Sequence, residues 1–148
     1  MKRMTLFLLG LFMVSTLQAQ NIKPEEVPDP VLHQFSFLYP DATKVSWQLN
    51  KANYEADFKN DKKITRAVFQ SDGGLVCTTT EIKVCALPRT ALGYLLKDDP
   101  ERKIEAANIH EDREGVITFN AVVDKTDFWF DWRGEYLSSG ELALMSEE

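Results

Sequence analysis

The sequence predicts an α+β domain: two tandem αββββ repeats forming one curved antiparallel sheet, with two helices packed on one face. Three observations lead there. Apolar and polar residues alternate with period two in several short runs, the pattern of half-buried strands. Two stretches with helical spacing, "DPVLHQFSFLYP" and "LPRTALGYLLKDDP", are each bounded by prolines. Third, "VFQSDGGLV" (68–76) matches "WFDWRGEYL" (129–137), so that Phe69 aligns with Phe130, Gly73 with Gly134 and Val76 with Leu137. One helix over four strands leaves apolar surface uncovered, and stacking two copies into one sheet removes it from water.

The first helix is predicted from Asp29 and Pro30, because proline and acids suit a first turn. Val31, Phe35 and Leu38 share its inner face. Pro40 disfavours helical geometry at Tyr39, so the helix stops there and "YPDA" (39–42) serves as a helix stop and strand entry. Val45, Trp47 and Leu49 then face one way, and Trp47 is assigned to the core. "NKAN" (50–53) turns the chain into a strand with Tyr54, Ala56 and Phe58 on the core side and Glu55 and Asp57 opposite. "NDKK" leads to a strand at Arg66 to Phe69, and "SDGG" turns it into a fourth. The second helix carries Leu92, Leu95 and Leu96. Strands are predicted at 103–109, 116–123, 128–132 and 135–138, with "HEDREG", "DKTD" and "WRGE" as turns.

The chain begins with Lys2 and Arg3, an apolar run to Val14 and the small, polar exit "STLQA". That is the pattern of a signal peptide, 1–19, cut after Ala19. The apolar run is about half of the roughly 20 residues a membrane span needs, so no membrane span is expected. A single domain, 20–148, remains, with repeats at about 27–84 and 87–142. Its destination is the periplasm or the outside of the cell. Losing Lys2 and Arg3 moves the net charge from −6 to −8, which argues against nucleic acid as a partner.

Cys77 and Cys85 are the two cysteines, and an exported chain with two invites a disulfide. A straight strand through both would hold them too far apart, so the bond requires the chain to turn back after Thr80. Two separate thiols are the alternative.

No catalytic set emerges. Asp29 and His33 lie one helical turn apart but are too few for a metal site. There is no Gly-x-Ser-x-Gly elbow and no glycine-rich phosphate cradle. The expectation is a protein without enzymatic activity, cofactor or metal. The candidate binding surface is the sheet face opposite the helices: Arg66 and Val68 in the first half, Asn120, Val122, Trp129 and Asp131 in the second. Trp129 is expected to be exposed there as an anchor, unless the C-terminal "ELALM" or a bulge covers it.

Taken together, "VP", "V...F...YPDA..VSW", "YEADF", "F..DGGLV.T..EI" and the second "LP" helix resemble the PepSY-like proteins related in fold to β-lactamase-inhibitor protein. The resemblance spans 27–139. It implies a small exported bacterial protein of tandem αββββ repeats, and through the inhibitor it implies a possible inhibitory role against a secreted hydrolase such as a peptidase or β-lactamase. The second half departs from the pattern, with "FDWRG" for "FQSDGG" and no YPDA-type turn. The partner expected is a protein, peptide or envelope ligand of unknown identity.

Overall fold

A computed structural model describes residues 19–140. The predicted signal peptide, apart from its last residue, and the "ELALM" segment lie outside the described residues. Nine strands form one antiparallel sheet in which every strand pairs with its neighbours in sequence. The strands are β1 (Gln20–Ile22), β2 (Thr43–Asn50), β3 (Asn53–Asn60), β4 (Lys63–Phe69), β5 (Leu75–Ile82), β6 (Ala106–Asp112), β7 (Ile117–Val123), β8 (Thr126–Asp131) and β9 (Tyr136–Ser139). Helix α1 (Asp29–Leu38) precedes β2 and α2 (Arg89–Leu96) precedes β6. A short 3-10 turn leads into each helix, at Pro24–Glu26 and Val84–Ala86.

Both helices cover the same sheet face. The cross-strand row Phe58–Thr65–Thr80–Ile109–Phe119–Phe130 joins the two apolar clusters. Val31 and Phe35 of α1 pack on Trp47, Ala56, Phe58, Ala67 and Phe69. Ala91 and Leu95 of α2 pack on Ala107, Ala121, Val123 and Phe130. Alanines on the central strands let the helices settle low, while the aromatic rings fill the space between. Phe35 meets Trp47 and Phe58 edge-on, at centroid distances of 5.2 and 5.0 Å, a favoured aromatic geometry.

The two halves share details beyond element order. Val76 is the extra residue of a bulge between β4 and β5, and Leu137 holds that place between β8 and β9. Gly73 (φ 90°) and Gly134 (φ 86°) make the turns before those strands. Each turn lies under a helix start: a Cβ on Gly73 would stand 2.7 Å from the Pro30 carbonyl oxygen, and one on Gly134 2.7 Å from Pro88 Cβ. Glycine is required twice over, for its dihedral and for the close approach.

Several expectations need correction. Leu38 is exposed rather than facing inward, and Leu96 is not in the α2 core; the α2 core pair is Ala91 and Leu95. Val45 is exposed because Lys44, with φ 55°, introduces an irregularity between Thr43 and Ser46. The segment before α1, where no strand was predicted, contains β1, which is too short to alternate visibly and pairs with β2 through Ile22 and Trp47. The predicted strand 103–109 runs instead from Ala106 to Asp112. Asp112 Oδ1 accepts from the backbone N–H of Glu114 and Val116, which tightens the turn and leaves His110 on the strand.

Trp132 also leaves its predicted strand and is 62% exposed, with the Arg133 guanidinium 4.6 Å from its ring centroid. The cause is Asp131, whose Oδ1 accepts from the backbone N–H of Arg133 and Glu135 and starts the turn one residue early. No disulfide links Cys77 and Cys85, and both thiols are free. The chain does not turn back after Thr80: β5 continues to Ile82, and the run from Cys77 to Ile82 alone spans about 17 Å, against the ~7 Å limit of a disulfide.

Gly73→Ala is expected to lower unfolding stability in urea by about 1–3 kcal/mol. Gly93→Ala, on helix α2 where an added Cβ meets nothing within 4 Å, should raise it by about 0.5–1 kcal/mol. Equal signs for the two changes would contradict this account of the helix–turn contact.

Candidate functional site

The sheet face opposite the helices carries polar side chains from end to end. Its central row is Asp57–Arg66–Thr79–His110–Thr118–Asp131, one residue from each of β3 to β8. The next row is Glu81–Asn108–Asn120–Trp129–Ser138. Strand alternation dictates this: the residues between them, such as Ala67, Ala121 and Phe130, are the core.

Arg66 organises the first half of the face. Its Nε and Nη2 donate to the two carboxylate oxygens of Asp57, at 2.7 and 2.9 Å, and Nη1 lies 3.7 Å from Glu55. This fork is the geometry guanidinium groups favour with carboxylates. The hydrogen bonds to Asp57 push the Arg66 pKa further up. Gln48 reaches Asp57 as well, and Asn50 donates to Glu55 at 2.9 Å. Arg66 remains half exposed, held above a dip of about 230 Å³ lined by Ile64, Thr79, Glu81 and Asn108.

The second half is a chain of amides. Asn108 donates to Asn120 Oδ1 at 3.1 Å, and Asn120 donates to Asp127 at 2.8 Å. Beside it, Thr79 Oγ1 and His110 Nδ1 lie 2.9 Å apart, and the His110 ring stands edge-on to Trp129 with centroids 6.1 Å apart. Burial pushes the His110 pKa down, with Asp112 opposing the shift in part. Thr118 Oγ1 and Trp129 Nε1 are buried without a hydrogen-bond partner among the described residues.

All six predicted site residues lie on this face, but they do not form one cluster. Arg66 and Val68 sit on β4, whereas Trp129 and Asp131 sit on β8, about 19 Å away across four strand spacings. Asn120 is a correction: at 4% exposure it is a buried clamp between Asn108 and Asp127. Trp129 is a second correction. It is half-buried with its indole N–H enclosed, because His110 packs against its ring. The bulge beside it falls on β9 and leaves the parity of β8 unchanged. Asp131 uses its carboxylate in the turn, and Val122 and Val68 are half-buried.

Thr79, Glu81, Asn108 and His110 complete the middle of the face and were not predicted. The signal lay in the run "CTTTE", whose alternate positions needed the β5–β6 register to assign a face. His33 and Asp29 lie on α1. No group of three His, Cys, Asp or Glu that could hold a metal occurs among the described residues. None of the described helices is long and apolar enough to cross a membrane.

No protein-family model matches the chain, and no curated protein matches it in sequence. Solved structures do. A BLIP-like protein from Bacteroides fragilis has a TM-score of 0.67 at 22% identity, covering 78% of this chain and 86% of that one. A DUF2874 family protein from Bacteroides ovatus has a TM-score of 0.69 at 18% identity, covering 81% and 91%. A proposed periplasmic protein from Bacteroides eggerthii has a TM-score of 0.71 at 22% identity, covering 76% and 87%. At these identities the likeness is one of fold.

Two measurements check the site. His110 has a folded pKa below its unfolded value, so its neutral form supports folding fully above about pH 6.5. That contribution is lost as pH falls from there through the depressed folded value, because the unfolded state takes up the proton first. His110→Asn should flatten the stability-against-pH curve in this window; an unchanged slope would mean His110 is not the titrating group. Without reductant, both thiols should react with iodoacetamide, exposed Cys85 first. Cys77 should lag, because burial raises its pKa, helped by Glu55 and Asp112. Failure of both thiols to react until reductant is added would restore the disulfide.

Proposed function

We propose that this chain is an exported, non-enzymatic binding module that holds a protein or peptide on the helix-free sheet face, around Arg66. The observation that carries the reading is Arg66 itself: an arginine pre-oriented by two carboxylates, half exposed, on a broad sheet face that neither helix covers. Arginine is a favoured interface anchor, and pre-orientation reduces the entropy lost on binding. The flanking amides and Thr79 supply further donors and acceptors at fixed spacing. Export is supported by the signal-peptide pattern of the sequence at 1–19 and by the proposed periplasmic placement of the Bacteroides eggerthii protein.

We read the halves 27–84 and 87–142 as tandem αββββ repeats of a PepSY-like domain with a curved sheet. The matched bulges at Val76 and Leu137 and the matched glycines under each helix start support it. Inhibition of a secreted hydrolase is the second reading, favoured by the fold shared with the BLIP-like protein.

The test is capture of partners from the envelope and secreted fractions of the source, followed by affinity measurement with the purified partner. Arg66→Ala and Thr79→Arg should each weaken binding about tenfold to hundredfold. Phe37→Ser, an exposed position on the helix side, should leave it unchanged. The reverse pattern would move the site to the helices and overturn the reading. Loss of the partner's enzymatic activity on binding would select the inhibitory role.

A further inference from the structure

A second cavity, of about 580 Å³, opens at the end of the sheet where the β3–β4 turn meets the segment after β5. Lys59, Lys62, Lys63 and Lys83 line it, against a single carboxylate from Glu81. The full chain is net acidic at −6, so this spot reverses the prevailing sign. Topology brings the four lysines together: Lys59 is the last but one residue of β3, Lys62 and Lys63 follow in the turn and first strand residue of β4, and Lys83 arrives directly after β5. The rest of the lining is largely apolar, with Ile64, Ile82 and Ala86. Ile64 is 54% exposed, although a β-branched strand residue gains most from being covered.

We propose that this cavity binds a small ligand with an anionic carboxylate head and an apolar body, of the fatty-carboxylate class. The volume falls in the range of small-molecule sites, and such sites combine an apolar lining with a few convergent polar groups. Lysine ammonium groups are mobile point charges suited to a monoanionic head, while Ile64, Ile82 and Ala86 take the alkyl body. An acidic polypeptide fits less well. Continuing along the face it would enter the dip beside Arg66, where Asp57 and Glu81 carry its own charge sign. The inference stands apart from partner capture: the two sites share only Ile64 and Glu81, and the ligand here is a small molecule.

Cys85, a free and exposed thiol in the cavity lining, provides a built-in reporter. The purified exported protein is titrated with dodecanoate below its micelle threshold, reading heat of binding and the rate of Cys85 alkylation. Dodecyltrimethylammonium and dodecyl maltoside, with the same tail and other heads, serve as comparisons. The expected result is saturable dodecanoate binding that slows alkylation and weakens with salt. Lys62→Glu/Lys83→Glu should reduce affinity about tenfold or more, and Ile64→Ser should also reduce it; Phe37→Ser, exposed on helix α1 away from the cavity, should leave it unchanged. The variants change exposed side chains, and their folding is checked by circular dichroism. Equal binding of all three amphiphiles would mean apolar adsorption and overturn the proposal. So would absence of saturable dodecanoate binding, or protection of Cys85 by a glutamate-rich peptide but not by dodecanoate.

Discussion

The close seating of each helix start on a glycine turn is the contact on which the rest of the molecule depends. Helix α1 has ten residues and α2 has eight, too short to stand alone in water. Each is held at its first turn by Gly73 or Gly134, with no room for a side chain between. Each then lies over a wholly buried ring, Phe69 or Phe130, whose removal from water contributes about 2–3 kcal/mol apiece. The bulges at Val76 and Leu137 follow immediately, so the turn, the ring and the change of register act as one unit.

Placing both helices on one face has a consequence for the other. Polar groups on a helix-free face can bond sideways, between strands. Arg66 with Asp57 and Glu55, and Asn108 with Asn120 and Asp127, do this. A buried amide bonded through both its oxygen and its nitrogen, such as Asn120, resists displacement, since breaking these bonds would leave donors and acceptors unpaired. The face is therefore rigid where its amides are buried, and open to contact where Arg66, Thr79 and Glu81 reach the surface. Its two halves differ in kind: an ion-paired first half, and an amide and aromatic second half around His110 and Trp129.

Much of this was legible in the chain. Alternation in "YEADF" and "ITFNAVV" assigned core and open faces, since a period of two has one physical meaning on a sheet. Pro40 ended the first helix as expected. Two of the misses came from side chains that bond the backbone locally: Asp131 and Asp112 each capture two backbone N–H groups, which moved Trp132 off its strand and His110 onto one. Strand β1 was missed because three residues carry no periodicity. The candidate site was half legible. The face of Arg66 and Trp129 could be read, but not that Trp129 is closed off by His110, which lies two strands away.

By itself the sequence determined the order of the elements after β1, the core faces of most strands and the α+β class, because these rest on local periodicity and on the restrictions of proline and glycine. Only the tertiary structure decided which polar residues meet. The joining of Thr79 to His110 and of Asn108 to Asn120, and the placing of Lys59 and Lys83 around one cavity, depend on the register between strands. That register is set by the summed packing of the core against two helices, and no short stretch of chain encodes it.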